Sequence, residues 1–498
     1  MIVKEQCRKK RDCWQAFLDI KGAYDTVNRD ILWKRCNGIG IKGGLLVLLK
    51  CLFDYAETTI RIGGQASRKV PMGRGLLQGS LLSPMLFNIF IDTLPRTLRR
   101  KHSSFLLGSH RINSLLYADD IVLVARTQEQ LQSMLVTCEQ HSISHGYVFS
   151  PCKCEIIAPK GKEPPYARLY GEMVRQTLSF KYLGIPFNDQ GVDVTGLVVE
   201  GISRAVKTAN LFSTVGCNGS GFRPTVSKWI LTTFVRPQME YGLGLTYIGK
   251  GLEKALNKAW SRICRRALTL PPTTSGPAIL KMMRMPDMGF RARKLNSMRA
   301  ARTHRADANG LLGSIYRYAI DGAGRRTKKS LLVRSRRNPM TRDNLGGAYD
   351  YRSEERRHIK ELGIQPAHIV ASRISIECPK ADAFLKYFPR SRGMREVLRK
   401  LVLWRTGVIP GKPQECKGCS TGVLATRDHV IECTRMTSTL EEYTQGTATA
   451  QENTLDAVLN QPLIWKHGSV WNKIRTGMQA IWTKCLGRVW GTPRGQGP

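Results

Sequence analysis

The sequence has no apolar run long enough to cross a membrane. The nearest candidate, residues 44–53, is interrupted by Lys50, whereas a spanning helix needs about 20 consecutive apolar residues. The N-terminus also has no secretory pattern, because six of the residues between 4 and 11 are charged. We therefore expect no membrane partner and a location in the nucleus and cytoplasm. No convincing internal repeat is present.

Acidic residues are scarce relative to basic ones. The 498-residue chain has 38 Asp and Glu against 78 Lys and Arg, a net charge of +40. So basic a surface repels itself unless it meets a polyanion, and nucleic acid is the leading partner, with an acidic membrane surface as the competitor. Residues 251–350 alone carry 22 basic against 6 acidic residues. Phosphate contact by this part is our interpretation, with a solvated basic face or a disordered arm at 322–329 as the alternatives.

Disulfide spacing is also absent, since most of the 14 cysteines are scattered singly, which favours a reducing compartment. One cluster is the exception, with the pattern C-x2-C-x9-H-x3-C. It consists of Cys416, Cys419, His429 and Cys433. Two thiolates on a tight turn, with a His and a Cys one helical turn apart, can close a tetrahedral structural Zn²⁺ site. The alternative is a set of incidental cysteines.

Three acids stand in or beside apolar segments. Asp119 and Asp120 lie between two apolar runs, a pattern that predicts two buried strands joined by a tight turn. Asp19 lies in a third apolar run, residues 17–20, which also predicts a buried strand. Three acids on neighbouring strands can hold two divalent cations for an in-line displacement. A solvated hairpin tip and a strand-end acid are the alternatives.

The rest of the chain is predicted to contain helices and linkers. Helices are predicted at 28–36, 45–55, 85–90, 129–146 and 428–433, at several positions between 202 and 268, and at 471–485. Residues 188–191 and 434–454 are interpreted as linkers. The last helix is interpreted as a docking helix rather than a partner site.

Five segments, in this order, resemble the palm of a reverse transcriptase of the non-LTR retrotransposon kind. They are Phe17–Asp25, Gly75–Phe87, Tyr117–Asp120, Lys153 and Phe180–Gly184. The resemblance implies an α+β fold: a right-hand polymerase palm (an antiparallel sheet with packed helices), then an all-α thumb and a small C-terminal region with a zinc knuckle. It also implies RNA-directed DNA polymerase activity on an RNA template, a DNA primer or target and dNTP.

The same resemblance assigns roles to residues. Asp19, Asp119 and Asp120, with the backbone carbonyl of Ile20, would ligate two Mg²⁺ ions. Lys153 would be the general acid for the leaving pyrophosphate, or a surface lysine. The residues that would bind nucleotide and template are Tyr24, Gln78, Gly79, Ser83, Pro84 and Tyr117. The primer grip would be Tyr182, Leu183 and Gly184. Tyr24 would exclude a ribose 2′-hydroxyl by its bulk; a core aromatic is the alternative.

Five regions follow from these assignments. They are a palm with residual fingers (1–187), a helical thumb (188–310), a partly disordered basic connector (311–400), the CCHC zinc-knuckle region (401–436), and a linker with a C-terminal amphipathic helix (437–498).

The chain departs from the family at its start, where only 16 residues precede Phe17. The family's fingers and endonuclease would lie there, so we expect the C-terminal part of a longer element, from a truncated gene model or a decayed copy. A catalytically inactive remnant that only binds nucleic acid is the second hypothesis. An intron maturase or telomerase relative is the third, and the zinc knuckle argues against it.

Overall fold

The computed structural model describes most of the chain. The described residues are 2–3, 6, 11–107, 110–162, 166–219, 221–307, 310–321, 349–362, 394–409, 414–419, 422–443, 453–460 and 468–487. They form two compact units. The first contains the described residues of Met1–Leu197 and Thr303–Ser330, and the second contains those of Val198–Arg302 and Leu331–Pro498. None of the described helices is both long and apolar enough to cross a membrane.

Strands are confined to the first unit apart from one isolated bridge, as far as the described residues go. They are β1 (Trp14–Leu18), β2 (Glu57–Thr58), β3 (Arg61–Ile62), β4 (Gln65–Ala66), β5 (Val70–Pro71), β6 (Phe105–Leu107), β7 (His110–Ile112), β8 (Ser114–Tyr117), β9 (Asp120–Ala125), β10 (Glu155–Ile157), β11 (Arg168–Leu169), β12 (Glu172–Met173), β13 (Arg175–Gln176), β14 (Ser179–Tyr182), β15 (Ile185–Asn188) and β16 (Gly191–Val192).

Helices occur in both units. Those that begin before residue 194 are α1 (Arg29–Gly38), α2 (Gly43–Asp54), α3 (Ser83–Ile91), α4 (Thr93–Lys101) and α5 (Gln128–His145). Those that follow are α6 (Val194–Thr214), α7 (Pro224–Ile230), α8 (Arg236–Glu240), α9 (Lys250–Ala267), α10 (Gly276–Met282), α11 (Met288–Arg305), α12 (Leu311–Asp321), α13 (Tyr351–Glu361), α14 (Met394–Arg405), α15 (Arg427–Cys433), α16 (Met436–Leu440), α17 (Thr454–Asn460) and α18 (Gly468–Ala480). Together with the strands, they confirm the α+β class.

A five-stranded sheet in the order β13-β10-β1-β9-β8 organises the first unit. Its central strand β1 is buried at every position and pairs antiparallel with β9 and β10. The pair β10–β13 is parallel, while the other pairs are antiparallel. Helices α1, α3 and α5 supply apolar side chains to the same core as β1 and β9. The predicted antiparallel sheet with packed helices is therefore largely confirmed.

The strand β8 differs from the prediction of two buried strands. Leu115 and Tyr117 are exposed, whereas β9 is buried beyond its first residue. The reason is topology, because β8 is the edge strand and only one of its faces meets the core.

Helix ends follow local sequence features. Asn28 caps α1 by accepting a hydrogen bond from the Ile31 amide, and Gly146 ends α5 in a left-handed conformation.

The two predicted linkers are corrected. Residues 188–191 are a tight turn between β15 and β16, in which the Asn188 side chain accepts a hydrogen bond from the Gln190 amide. Polar turn residues have the same composition in a hairpin as in a linker. In the second segment, Met436 and Leu440 are buried on α16, so the linker prediction is wrong for residues 436–443. Residues 444–452 lie outside the described residues.

One hydrophobic core joins distant parts of the second unit. It includes Trp260 of α9, Trp404 of α14, Val430 of α15 and Trp471 of α18. The regions separated in the sequence interpretation therefore share a core here, and the apolar face of the last helix docks into it. The described parts of the expected connector contain the helices α12 and α13 and the start of α14. The glycine- and arginine-rich segment 322–329, interpreted as disordered, lies outside the described residues.

Candidate functional site

The strand register brings two of the predicted acids together. Leu18 of β1 pairs with Ile121 of β9, so the next positions, Asp19 and Asp120, are neighbours at the same end of the sheet. Tyr117 pairs with Asp120 across the β8–β9 hairpin. Ala118 in the turn has a φ of 52°, a left-handed conformation that an alanine rarely adopts. The hairpin therefore holds Asp119 at its tip, one residue before the neighbour of Asp19.

A cleft of about 530 Å³ opens at this end of the sheet. Nine predicted site residues line it: Asp19, Ile20, Tyr24, Gln78, Gly79, Ser83, Pro84, Asp119 and Lys153. Asp120, Tyr117 and the predicted primer-grip residues are not among the lining residues. The Nζ atom of Lys153 lies 3.5 Å from Oδ2 of Asp19. The cleft thus combines carboxylates, a cation, an aromatic ring and a glycine-bearing loop.

The electrostatics of Asp120 reflect a local excess of negative charge. Burial raises the pKa of Asp120, and the charges of Asp119 and Asp19 raise it further. Burial also raises the pKa of Tyr182 to about 12, with a contribution from the charge of Asp120. The phenol therefore stays neutral at pH 7. A cation would relieve this repulsion among the carboxylates.

Tyr24 forms one wall of the cleft. Its ring centroid lies 5.3 Å from that of Phe87 on α3. Burial raises the pKa of the Tyr24 hydroxyl, and the charges of Asp119 and Tyr117 add to the effect. The ring is only partly buried. One side of the Tyr24 ring therefore packs on the core and the other faces the cleft. This placement is compatible with both roles considered for Tyr24, a steric barrier to a ribose 2′-hydroxyl and a core aromatic.

The loop that carries Gln78 is fastened to the segment after β1. The amides of Gly75 and Leu76 donate hydrogen bonds to the carbonyls of Val27 and Tyr24, at 3.0 and 2.8 Å. The side chain of Arg29 donates to the Gly75 carbonyl at 2.8 Å. These bonds fix the distance between the loop and the strand that carries Asp19.

Sequence reasoning assigned no role to Asp25. Its carboxylate accepts hydrogen bonds from the Gln78 amide nitrogen at 3.1 and 3.3 Å. The bond fixes the amide orientation of Gln78, leaving its oxygen as an acceptor for another donor. One sequence feature could have indicated a role for Asp25: it is the second acid in the segment Phe17–Asp25, six residues after Asp19.

The turn assigned to the primer grip lies beside the sheet. Leu183 and Gly184 form the turn between β14 and β15, both with positive φ. Phe180 stacks on Phe17 of β1 with centroids 4.3 Å apart, and Tyr182 packs near the same ring at 6.2 Å. The hairpin is thus attached to the strand that precedes Asp19.

A second candidate site lies in the other unit. Ligand atoms of Cys416, Cys419, His429 and Cys433 all lie within 4.8 Å of one another. Sulfur–sulfur distances are 3.8 Å for Cys416–Cys433 and 3.2 Å for Cys419–Cys433. A tetrahedral Zn²⁺ with Zn–S bonds of about 2.3 Å separates its ligand atoms by about 3.8 Å. The Cys416–Cys433 distance matches this spacing and the Cys419–Cys433 distance is shorter, while three thiols and an imidazole are donor types that zinc prefers.

Helix α15 positions two of these four groups. Thr426 caps it by accepting a hydrogen bond from the His429 amide. Asp456, which is 1% exposed, pairs with Arg427 at 2.6 Å and with Arg405 at 3.3 Å. The charges of the two guanidinium groups outweigh the effect of burial and lower the pKa of Asp456. This buried pairing anchors the start of α15 to α14 and α17.

Comparison with known proteins bears on the first unit. The family described as "Reverse transcriptase (RNA-dependent DNA polymerase)" matches residues 2–187, which contain both the five-stranded sheet and the cleft. Residues 2–187 belong to the reverse transcriptase family. The match covers all five segments recognised in the sequence.

Relatives that match this chain come from retrotransposable elements. The Pol polyprotein of a type-1 R2 element from Nasonia vitripennis is 27% identical over 55% of this chain and 27% of its own length. The corresponding R2 protein from Popillia japonica is 25% identical over 55% and 45%. The RNA-directed DNA polymerase of the mobile element jockey from Drosophila funebris is 23% identical over 36% and 20%. The domain is thus of the non-LTR retrotransposon kind.

The chain spans less than half the length of these curated relatives. Among solved structures, apo telomerase from Candida Tropicalis superposes with a TM-score of 0.34 and 11% identity, over 63% of this chain and 54% of that chain. A score this low does not establish a common fold over the whole chain.

Proposed function

We propose that this reverse transcriptase transfers nucleotides from dNTP to a DNA 3′-hydroxyl on an RNA template, with two Mg²⁺ ions. The observation that carries the proposal is the cleft in which Asp19, Asp119, Tyr24, Gln78 and Lys153 meet. These groups come from separate segments of the matched region, and the cleft is the place where they share one surface.

The donor set suits a hard cation. Carboxylate and carbonyl oxygens are the ligands that Mg²⁺ prefers. The bridge between Ile20 and Phe149 uses the Asp19 carbonyl and the Lys21 amide, so the Ile20 carbonyl is not used by it. Among the described residues, the three aspartates are not gathered as closely as the Cys/His group.

Each residue at the cleft would have a separate role in nucleotide transfer. Asp19, Asp119, Asp120 and the Ile20 carbonyl would hold Mg²⁺, which activates the 3′-hydroxyl and stabilises the leaving pyrophosphate. Lys153 would donate a proton to that leaving group. Tyr24 would exclude the ribose 2′-hydroxyl by steric contact.

Loop and helix residues would position the substrates. Gly79 lets the loop backbone approach the template base closely. Gln78, oriented by Asp25, would contact the nucleotide, and Ser83 donates a hydrogen bond to the Leu77 carbonyl at 2.6 Å that holds the loop above α3. Pro84 occupies the first turn of that helix. The β14–β15 turn with Tyr182, Leu183 and Gly184 would grip the primer.

Primer extension tests the polymerase proposal. Purified chain is given an RNA template, a DNA primer, dNTP and Mg²⁺. We expect incorporation by the wild type and by Asp30→Ala, an exposed acid at the start of α1, and none by Asp119→Ala. Fluorescence anisotropy should show that all three proteins bind the RNA–DNA duplex equally. Absence of incorporation by the wild type would refute the proposal and leave the binding-only remnant.

A row of cations on α9 supports nucleic-acid binding independently of catalysis. Five exposed residues recur every four positions: Lys250, Lys254, Lys258, Arg262 and Arg266. Like charges at this spacing repel one another and destabilise an isolated helix. The row extends about 24 Å, the axial length of about seven phosphates of one strand. It lies in the expected thumb and would contact the phosphate backbone of the duplex.

The ion pairs around α9 do not neutralise the centre of this row. Within the part of the chain that the structure describes, Lys254, Lys258 and Arg262 have no carboxylate within 4.0 Å, while Glu253 pairs with Arg293 at 3.0 Å on another helix. Arg266 donates a hydrogen bond to Asn210 at 2.6 Å. The absence of acidic partners favours a polyanionic ligand over a self-neutralised surface.

Salt dependence of duplex binding tests the row. The double variant Lys258→Gln with Arg262→Gln should weaken binding and reduce the slope of log K against log salt by about 2. The control Lys160→Gln replaces an exposed lysine outside the row. It should change the affinity and the slope by no more than the loss of one surface charge does. An unchanged slope in the double variant would show that the row is only a solvated face.

We also propose that Cys416, Cys419, His429 and Cys433 bind one structural Zn²⁺, as the resemblance implies. Hydrogen bonds from the Gly418 amide and the neighbouring ligands outweigh the effect of burial and lower the pKa of Cys416 to about 6. With four protein ligands no position is open for water. The site would therefore support nucleic-acid binding and not catalysis.

A further inference from the structure

Three aromatic rings form an open cluster in the second unit. They belong to Phe212 of α6, Trp229 of α7 and Phe234 of the turn that follows α7. The Phe234 centroid lies 5.2 Å from that of Phe212 and 5.7 Å from that of Trp229, whose ring is nearly perpendicular to it. Trp229 is 58% exposed and Phe234 42%, whereas Phe212 packs against the hydrophobic core. The cluster is thus anchored by one ring and presents two rings to solvent.

A π-helical turn creates this arrangement. Residues Leu231–Val235 form the turn, and the Arg236 amide closes it by donating a hydrogen bond to the Leu231 carbonyl. Trp229 and Phe234 are five residues apart, a spacing that in a regular α-helix sets side chains about 140° apart around the axis and out of contact. The wider turn brings the two rings together. Such turns are rare and occur mostly at functional sites.

The sequence around the cluster is basic. Between Glu200 and Glu240 it has no acidic residue and five basic ones, which are Arg204, Lys207, Arg223, Lys228 and Arg236. Arg204 pairs with Glu200 at 3.6 Å and Arg236 with Glu240 at 3.0 Å. Five basic residues and two glutamates leave this segment with a net charge of +3. An anionic ligand is therefore favoured, while a second copy of this chain, with its net charge of +40, would be repelled.

The cluster is also connected to the row of cations on α9. Arg266, the last member of that row, donates a hydrogen bond to Asn210, which lies two residues before Phe212 on α6. Both helices belong almost entirely to the same compact unit. A strand whose phosphates lie along the row would therefore reach the helix that carries the anchoring ring.

We propose that Trp229 and Phe234 form a stacking platform for an unpaired base of single-stranded RNA. Every base has a π-face that can stack on an aromatic side chain, and surfaces that bind single strands combine such rings with basic residues. A base inside a duplex does not offer this face, because its neighbours in the stack cover it. The choice of RNA rests on the function proposed above, in which the template is the strand that is not yet paired.

Binding of a single-stranded RNA by the full-length chain tests the platform. Fluorescence anisotropy compares a labelled RNA of about 12 nucleotides with a blunt RNA–DNA duplex. Trp229→Ala should weaken binding of the single strand by about 5- to 150-fold, the usual cost of losing one stacked base, and leave duplex binding unchanged. Trp229→Phe keeps a ring and should retain most of the affinity. Leu211→Ala, which removes a similarly exposed apolar side chain without a ring, should match the wild type.

Two further measurements separate stacking from charge and from a folding defect. The slope of log K against log salt should be the same in Trp229→Ala and the wild type, since no cation is removed. RNA should quench the tryptophan emission of the wild type more than that of Trp229→Phe, because a stacked base quenches an indole. Unchanged affinity in Trp229→Ala, or equal quenching in the wild type and Trp229→Phe, would overturn the platform.

Other outcomes would assign the rings elsewhere. Equal losses of affinity for the single strand and the duplex in Trp229→Ala would overturn the preference for an unpaired base. A loss seen with single-stranded DNA of the same sequence but not with RNA would overturn the choice of strand. If light scattering shows that Trp229→Ala dissociates a dimer while RNA binding is unchanged, the rings lie between two copies. A chain that binds single-stranded RNA as expected but extends no primer would refute the polymerase proposal alone.

Discussion

Lys153 and Asp19 form an ion pair in the cleft of the reverse transcriptase domain, with 3.5 Å between the ammonium nitrogen and the carboxylate oxygen. Lys153 is 68% exposed and Asp19 33% exposed, so water screens the pair. Asp19 is also a proposed Mg²⁺ ligand. Under this proposal the lysine would compete with the cation for this carboxylate, and once the metal binds its proton would become available to the leaving group.

Replacing Lys153 should separate these two effects. Lys153→Gln should bind Mn²⁺ up to about fivefold more tightly, since an exposed ion pair is worth at most ~1 kcal/mol. Primer extension should fall about 10²- to 10⁴-fold if the lysine donates the proton. Lys153→Arg keeps the charge but is a poor acid, so it should bind Mn²⁺ like the wild type and still extend slowly. Wild-type extension by Lys153→Arg would rule out the proton transfer.

Tyr24 should control the choice of sugar. Tyr24→Ala removes the ring that packs on Phe87, and it should lower the preference for dNTP over rNTP by roughly 10- to 100-fold, as for other discriminations by shape. Tyr24→Phe keeps the ring and should keep the preference. Single-nucleotide incorporation with matched dNTP and rNTP measures both. If the wild type, Tyr24→Ala and Tyr24→Phe show the same preference for dNTP over rNTP, Tyr24 is only a core aromatic.

Asp120 should destabilise the metal-free protein at neutral pH. Its raised folded-state pKa means that the folded protein binds the proton more tightly than the unfolded chain does, so stability is gained as pH falls through that pKa. Asp120→Asn should therefore unfold at a higher temperature than the wild type at pH 7 without metal, and the gap should narrow in acid.

Mg²⁺ provides the complementary measurement for Asp120. Added Mg²⁺ should raise the melting temperature of the wild type and have little effect on Asp120→Asn, because the variant lacks a proposed ligand. If the two proteins respond equally to Mg²⁺, Asp120 does not take part in the metal site.

Gly75 should tolerate no side chain. It has a φ of 84°, and an added Cβ would lie 2.8 Å from the carbonyl oxygen of Asp25. Gly79→Ala is a matched control, since its φ is 90° but its Cβ would meet open space. The control should cost about 1–2 kcal/mol of left-handed strain. Gly75→Ala should cost clearly more in urea unfolding, and equal costs would mean that the loop shifts freely.

The sequence was informative where chemistry is local. The segment Phe17–Asp25, the loop with Gln78 and the hairpin with Asp119 each kept a recognisable pattern, and nine of the predicted site residues do line one cleft. Caps and glycine turns also followed local rules, because their hydrogen bonds lie within a few residues. The roles assigned to these residues remain proposals.

Contacts between distant segments were beyond such reasoning. The bond between Asp25 and Gln78 spans 53 residues, and the hydrogen bond from the Lys417 amide to the Cys485 carbonyl also joins residues far apart in the chain. The linker predicted at 434–454 was wrong over residues 436–443 for the same reason, since polar composition does not reveal whether a short segment packs on a core formed elsewhere.

The sequence by itself determined the family chemistry of this protein: three acids in apolar segments, a glycine-rich loop before a helix, and a Cys/His cluster with metal-ligand spacing. Tertiary structure alone decided which groups meet. Antiparallel register places Asp19 beside Asp120, a hydrogen-bonded loop brings Gln78 to the same cleft, and the Lys417 amide next to Cys416 donates a hydrogen bond to the Cys485 carbonyl. Register and packing depend on pairs of distant segments, whereas a motif depends on residues that are neighbours in the chain.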